Sequence, residues 1–373
     1  MVGRIAHIIY GNHPQGIDPI RDLAENVREA FLNSKLISEI SFSETLVPNE
    51  INILVEEFSN AKFCKRVISL KKNYPKTIFI LIITEIPING SYNNFNNSKT
   101  HYKYQVNSHE LFSLRFLSFK VYIFNKINRL INLFIDKKIK KQLKDNIIKQ
   151  INVFINKIIS GKTSEKINKS YIDLYFFARF HNSKVLIDKN IFTKIYIINS
   201  SSNNLMKLAF NRIFDEFPYY IKINTYDEKN ELIFFSGTKT KERMDIFNYI
   251  ESFGVFIIKS FNFNNEKREI LAKKSLFSLH VSRYQGETEY SSPTRTLQAL
   301  KFGTLTLPFK DYKESSLERM IGILSLTKLI EMNTSNNLQH TLKEHYYERL
   351  EHLNKIYLSI NNDNKNRLEE ILS

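Results

Sequence analysis

Residues 78–83, Ile-Phe-Ile-Leu-Ile-Ile, place an apolar side chain at every position. A strand shows alternate residues to opposite faces, so such a run needs cover on both. That is the condition of a strand inside a parallel sheet layered between helices, and no other feature constrains the chain as much. The pattern recurs along the sequence. GRIAHIIYG (3–11), KLISEISFSET (35–45) and EINILVEEF (50–58) read as strands, PIRDLAENVREAFLN (19–33) as a helix, and YIDLYFFARFHN (171–182) as another helix or a short buried element. A second alternating set comes after them. KIYIINSSS (194–202) reads as strand then loop, LMKLAFNRIFDEF (205–217) as helix, and YIKINTYDE (220–228) and ELIFFSGT (231–238) as strands. Helix and strand then alternate through TKERMDIFNYIESFG, GVFIIKSF, NEKREILAKK, SLFSLHVSRYQ, PTRTLQALKFG and TLTLPF, before a charged helical end.

Two such blocks in 373 residues, with no short internal repeat, predict an α/β protein of two Rossmann-like domains with a cleft between them. The expected division is 1–185 and 186–373, with a basic helical insertion at about 108–170. Net charge is +16, and it is concentrated. Residues 126–169 hold twelve Lys or Arg against three acids, and Ile127, Ile131, Phe134, Ile139, Leu143, Ile147, Ile151 and Ile155 recur every three to five positions. The segment 126–158 therefore reads as amphipathic helices. Their lysine face is either simply solvated or a docking surface for anionic lipid. Nucleic acid is the weaker expectation for it and is not expected as a partner, since no recognition motif accompanies the charge.

Cys64 is the one cysteine, which excludes an internal disulfide and a cysteine-built metal site. No apolar run reaches the ~18–20 residues of a spanning helix, and the first residues read as a strand instead of a signal peptide. A cytoplasmic setting is expected, with peripheral contact at the inner face of the membrane as the variant.

In open α/β sheets ligands bind at the carboxyl ends of strands, so the strand-to-helix junctions are where chemistry is sought. In IFFSGTKTKER, Gly237 would let backbone approach a ligand, and Thr238 stands before a helix whose N-terminus favours anions; Thr238 and Thr240 are equally candidate caps. In ETEYSSPTRTLQALKFGTLTLP (287–308), Pro293 suits a first helical turn and Ser292 its cap. One cap does not explain Glu289, Ser291, Thr294 and Arg295 gathered beside it. Hydroxyls and an arginine at a helix N-terminus suit a diphosphate, and a carboxylate suits a sugar or ribose diol. In the first block, His13 comes after the first strand, Glu56 and Glu57 end the third, and Glu85 ends the run at 78–83. His13, Glu57 and Glu85 are the candidate general bases. Asp173 and Arg179 could form an internal ion pair. G-x-G-x-x-G, the phosphate-binding G-x-x-x-x-G-K-[ST] and a D-x-D metal motif are all missing, so no metal is expected.

The 287–308 segment resembles the donor-site segment of GT-B-type bacterial glycosyltransferases, and IFFSGTKTKERMDIFNYIESFG resembles the strand and helix that precede it, as in CgeB-like members. The resemblance covers about 230–310. It implies a metal-independent glycosyltransferase with a nucleotide sugar as co-substrate and no other cofactor. The donor would lie against Glu289, Ser291, Ser292 and Arg295, with Gly237 and Thr238 near its phosphates, and the acceptor on the first domain. Seven residues after Glu289 stands Thr296, and no second glutamate of an E-x7-E pattern follows. By analogy the acceptor is a bacterial surface glycan or a lipid-linked glycan. A CMP-linked, Kdo- or sialic-acid-like sugar transferase, a nucleic-acid-binding α/β protein and an inactive scaffold stay open as alternatives.

Overall fold

The computed structural model describes residues 4–13, 16–34, 36–88, 91–92, 110–111, 171–224, 229–261, 265–281, 290–333 and 337–372. The basic segment 126–158 and Glu289 lie outside the described residues.

Among the described residues the chain forms two parallel sheets. In the first, the order is β2-β1-β3-β4-β7-β8, made from β1 (Arg4–Ile9), β2 (Ile37–Ser43), β3 (Ile51–Val55), β4 (Ile78–Ile83), β7 (Lys194–Ile197) and β8 (Asp215–Glu216). A small antiparallel hairpin, β5 (Pro87–Ile88) with β6 (Ser91–Tyr92), comes after β4. The doubly apolar strand reading of 78–83 has a direct counterpart in packing. Ile80 and Ile82 enter one core with Val27, Ala30 and Phe31 of helix α1 (Arg21–Leu32). Phe79, Leu81 and Ile83 enter another, with Phe63 and Val67 of α2 (Ala61–Asn73) and Leu186 of α3 (Tyr171–Asp188). Successive residues of the strand alternate between these two layers, so neither face can tolerate a polar run.

Helix α2 was not among the sequence expectations. It buries Ala61, Phe63, Cys64 and Val67 and is locally well specified. Asn60 caps it by accepting from the backbone N–H groups of Lys62 and Phe63, and Lys71 and Lys72 occupy its last turn, where they favour the helix dipole.

The division expected near 185 falls within helix α3. Helix α3 runs on to Asp188 and delivers β7 to the edge of β4, and β8 pairs with β7. A helical crossover returns a parallel strand to its own sheet, so the first sheet closes only after Glu216. Helix α4 (Asn203–Phe210) connects its last two strands.

The stretch 220–224, expected as a strand, joins no sheet. A side chain supplies ladder-like bonds instead: Asn361 donates to the Ile221 carbonyl at 2.8 Å and accepts from its N–H at 2.7 Å. The second sheet has the order β10-β9-β11-β12, from β9 (Glu231–Ser236), β10 (Ile257–Ser260), β11 (Ser275–His280) and β12 (Leu305–Pro308). Helices α5 (Lys241–Glu251), α6 (Asn265–Lys274) and α7 (Pro293–Leu300) alternate with its strands. Thus the chain is α/β with two Rossmann-like sheets. Short helices α8 (Ser316–Ile321) and α9 (Leu326–Met332) precede the long α10 (Leu338–Leu372), which packs on β9 and β11 and also touches α1 of the first unit. Ion pairs Arg268–Asp22 and Lys301–Glu29 fasten the units along α1.

Candidate functional site

Strand order reverses between β1 and β3, since β1 leads outward to β2 while the chain resumes on β3's side. Such a switch point leaves a crevice at the carboxyl ends of the strands. The residues that leave those ends are His13, Glu56, Glu57 and Glu85, and the structure brings them around one guanidinium. Arg179, on α3, pairs with Glu56 at 2.6 Å, Glu57 at 3.1 Å and Glu85 at 3.2 Å. The Tyr175 hydroxyl donates to Glu57 Oε2, and Ser183 donates to Glu56 at 3.3 Å. Rings of Tyr92, Tyr175 and Phe176 lie 5.4–5.9 Å from the guanidinium carbon.

Burial sets the chemistry of this cluster. Glu56 is fully buried, and loss of solvent pushes it up to about 7 against the pull of Arg179. His13 is pushed down to about 4, first by burial and then by the nearby Arg179 charge. Its imidazole is therefore neutral at neutral pH and able to take a proton. Among the described residues, Glu57 Oε1, His13 Nε2 and Asn12 Oδ1 are buried without a hydrogen-bond partner. The Asp173 side chain lies outside the described residues, and the ion pairs of Arg179 are those with the three glutamates. Arg179 and Glu56 carry more of this site than their sequence context conveyed. The available signal was a lone arginine in the apolar run YFFARF, since a charge buried with a helix face needs a counter-charge.

The second sheet has its own reversal, between β9 and β11. Gly237 and Thr238 leave β9 there, and His280 ends β11. The buried Arg243 ties the two exits, donating to the carbonyls of Thr238 at 2.8 Å and Val281 at 3.0 Å. A Cβ on Gly237 would stand 2.9 Å from the Phe235 ring, which would have to shift to admit it. Thr240, not Thr238, caps α5 by accepting from the Arg243 N–H. On α7, Arg295 is exposed and its Nη1 lies 2.9 Å from His280 Nδ1. Pro293 opens the helix and Ser292 stands at the N-cap, but the Ser292 side chain makes no cap bond. Thr294 is half-buried on the same turn.

Ser291 behaves differently from its neighbours. It is 4% exposed, and its hydroxyl is engaged three times. It donates to Glu318 Oε2 at 2.8 Å, and accepts from the Ser315 N–H at 2.8 Å and the Asn199 amide at 3.1 Å. Asn199 comes just after β7 of the first unit, so Ser291 is a staple between units. Thr296 also donates to Glu318, at 2.7 Å. Beside them Glu216 of β8 accepts from the N–H groups of Ser200 at 2.8 Å and Ser316 at 2.9 Å. Burial pushes Glu318 up to about 7, and Thr296 and Ser291 pull the other way by hydrogen bonding. The sequence crowding at 289–295 thus divides: Ser291 turns inward to a structural network, whereas Arg295 faces outward at the switch point.

Among the described residues no group of His, Cys, Asp and Glu has the makings of a metal site, and no helix is long and apolar enough to cross a membrane. No family model matches the chain, and no curated protein matches it. Among solved structures, an alpha-glucosyltransferase in complex with UDP-glucose and DNA containing an abasic site is similar over 99% of this chain and 94% of its own, at 12% identity and a TM-score of 0.32. Likeness at that level decides nothing about activity.

Proposed function

We propose that the chain is a glycosyltransferase that moves a sugar from a nucleotide-sugar donor on the second unit to an acceptor on the first, with no metal and no cofactor beyond that co-substrate. The observation that supports this reading is the split in chemistry between the two switch points. The first gathers carboxylates and a neutral imidazole; the second offers Gly237, a helix N-terminus and the exposed Arg295. Transfer needs both. An acceptor hydroxyl must lose its proton, and His13, Glu57 or Glu85 can take it. A departing nucleotide phosphate gains charge, and Arg295 with the start of α7 can stabilise it.

The acceptor proposed is a bacterial surface glycan or a lipid-linked one, by analogy with the resembled family; a CMP-linked donor fits the same groups. The expectation of no nucleic-acid partner meets one finding at odds with it. The solved neighbour is described with DNA as well as UDP-glucose, and the basic segment lies outside the described residues.

Thermal shift against UDP, GDP, CMP and dTDP tests the reading. A bound nucleotide at 100 times its dissociation constant stabilises by ~2.7 kcal/mol. Removing a charge-assisted bond to phosphate costs ~1.5–3 kcal/mol, so Arg295→Ala should weaken that nucleotide roughly 10- to 150-fold. Silence from all four nucleotides, or unchanged affinity in Arg295→Ala, would sink it.

A further inference from the structure

We infer that the ligand of the first switch point is a non-anionic sugar, one that offers neutral hydroxyls or an ammonium group, and that sugars bearing carboxylate or phosphate are rejected there. This deepens the proposed acceptor role and rests on it.

The unpartnered atoms carry the inference. The side chain of Glu57 is 5% exposed, with Oε2 held by Arg179, yet Oε1 has no donor among the described residues. Asn12 is 3% exposed. Its amide nitrogen donates to the carbonyls of Val55 at 2.9 Å and Glu57 at 3.4 Å, which turns Oδ1 the other way, and Oδ1 has no donor either. His13 Nε2 completes the set on the adjoining turn. A buried acceptor left without a donor costs ~1–3 kcal/mol. Two carboxyl and amide oxygens and an imidazole nitrogen, all at the ends of neighbouring strands β1 and β3, therefore mark a place that a ligand supplies with donors. Hydroxyl and ammonium groups donate. Ionised phosphate and carboxylate groups only accept, and would leave both oxygens as they are.

Charge points the same way. The guanidinium of Arg179 is already turned to Glu56, Glu57 and Glu85. Among the described residues Glu56 and Glu57 already share that cation, and a further anion would meet a carboxylate at low dielectric. The neutral state of His13 adds no compensating charge. The contrast with the exposed Arg295 of the second unit is direct: one switch point is furnished for anions, the other against them.

Binding of methyl glucoside, glucosamine, glucuronate and glucose 6-phosphate to the full chain, measured by ligand-observed NMR without nucleotide, tests this. Methyl glucoside and glucosamine should bind, and the two anionic sugars at least tenfold more weakly. His13→Ala, with its folding checked by urea denaturation, should weaken methyl glucoside at least tenfold. Equal or tighter binding of the anionic sugars overturns the inference. So does silence from all four, or undiminished binding by folded His13→Ala. Should that variant fail to fold, the four-sugar comparison on the parent decides alone. Nucleotide stabilisation without the sugar preference sinks this inference and leaves the transferase reading standing; a sugar preference without nucleotide stabilisation does the reverse.

Discussion

Glu56 and Glu318 are both buried, and burial pushes both up to about 7. Their company differs. Glu56 shares Arg179 with two other glutamates, whereas Glu318 is held by neutral groups, the hydroxyls of Ser291 and Thr296 and the N–H of Ser315. Around Glu318 the hydroxyl and carboxyl oxygens of the staple are partnered; around Glu56, buried atoms of Glu57, Asn12 and His13 are not. A fully satisfied polar network fixes two surfaces together. A charged cluster with unpartnered buried atoms calls for an explanation, which the proposed acceptor supplies. The same element type, a glutamate in the apolar interior, thus serves as a staple between units in one place and, in the other, belongs to the cluster around Arg179 that is proposed as the acceptor site.

The strongest way to break this comparison is Arg179→Met. If Arg179 compensates the three glutamates, its loss leaves buried charge unpaired and should cost ~3–5 kcal/mol of stability at pH 7.5. Part of that should return on acidification, as the carboxylates take up protons. A small loss that is independent of pH, read from urea denaturation, would mean the cluster is far more hydrated than its burial indicates.

Ser291→Ala comes next. It strips Glu318 and the Asn199 amide of a partner inside the staple and should cost ~1–3 kcal/mol. Nucleotide affinity should be spared, because the hydroxyl is spent within the protein. Reduced nucleotide affinity with unchanged stability would instead restore Ser291 to the donor site expected from the sequence.

The smallest effect is the pH dependence of the staple. Glu318 is raised in the folded protein, so its contribution is fully present below the ordinary carboxylate value of 4.5 and is lost as pH rises through about 7. Between pH 6 and 8 that amounts to about 1 kcal/mol of lost stability. Glu56 acts in the same window, so the measurement is a difference: Glu318→Gln should flatten the slope relative to the parent without abolishing it. Identical slopes would show that Glu318 titrates as an ordinary carboxylate.

Much of the fold was legible because the signals are local. Strands β1, β3, β4, β9 and β11 lie inside the apolar runs that announced them, and α5 and α7 begin where Thr240 and Pro293 stand. Helix α2 escaped although its signals are local as well, the Asn60 cap and a buried face of Ala61, Phe63, Cys64 and Val67. The strand expected at 220–228 was misleading over its described residues, 220–224. Its alternation is real, but among the described residues no strand pairs with it, and Asn361, about 140 residues later, makes the bonds instead. At the site, the strand-end positions of His13, Glu57 and Glu85 were readable one by one. Their meeting was not.

By itself the sequence determined which segments are strands covered on both faces, which junctions carry polar groups, and that two α/β blocks succeed one another; periodicity and burial demand are properties of short windows. Only the tertiary structure decided that β7 and β8 close the first sheet, that Arg179 joins Glu56, Glu57 and Glu85 from more than ninety residues away, and that Ser291 faces Glu318 while Arg295 faces out. Strand order chooses which loops share a switch point, and side-chain direction on one helical turn chooses between core and solvent. Neither is encoded in the composition of the loop itself.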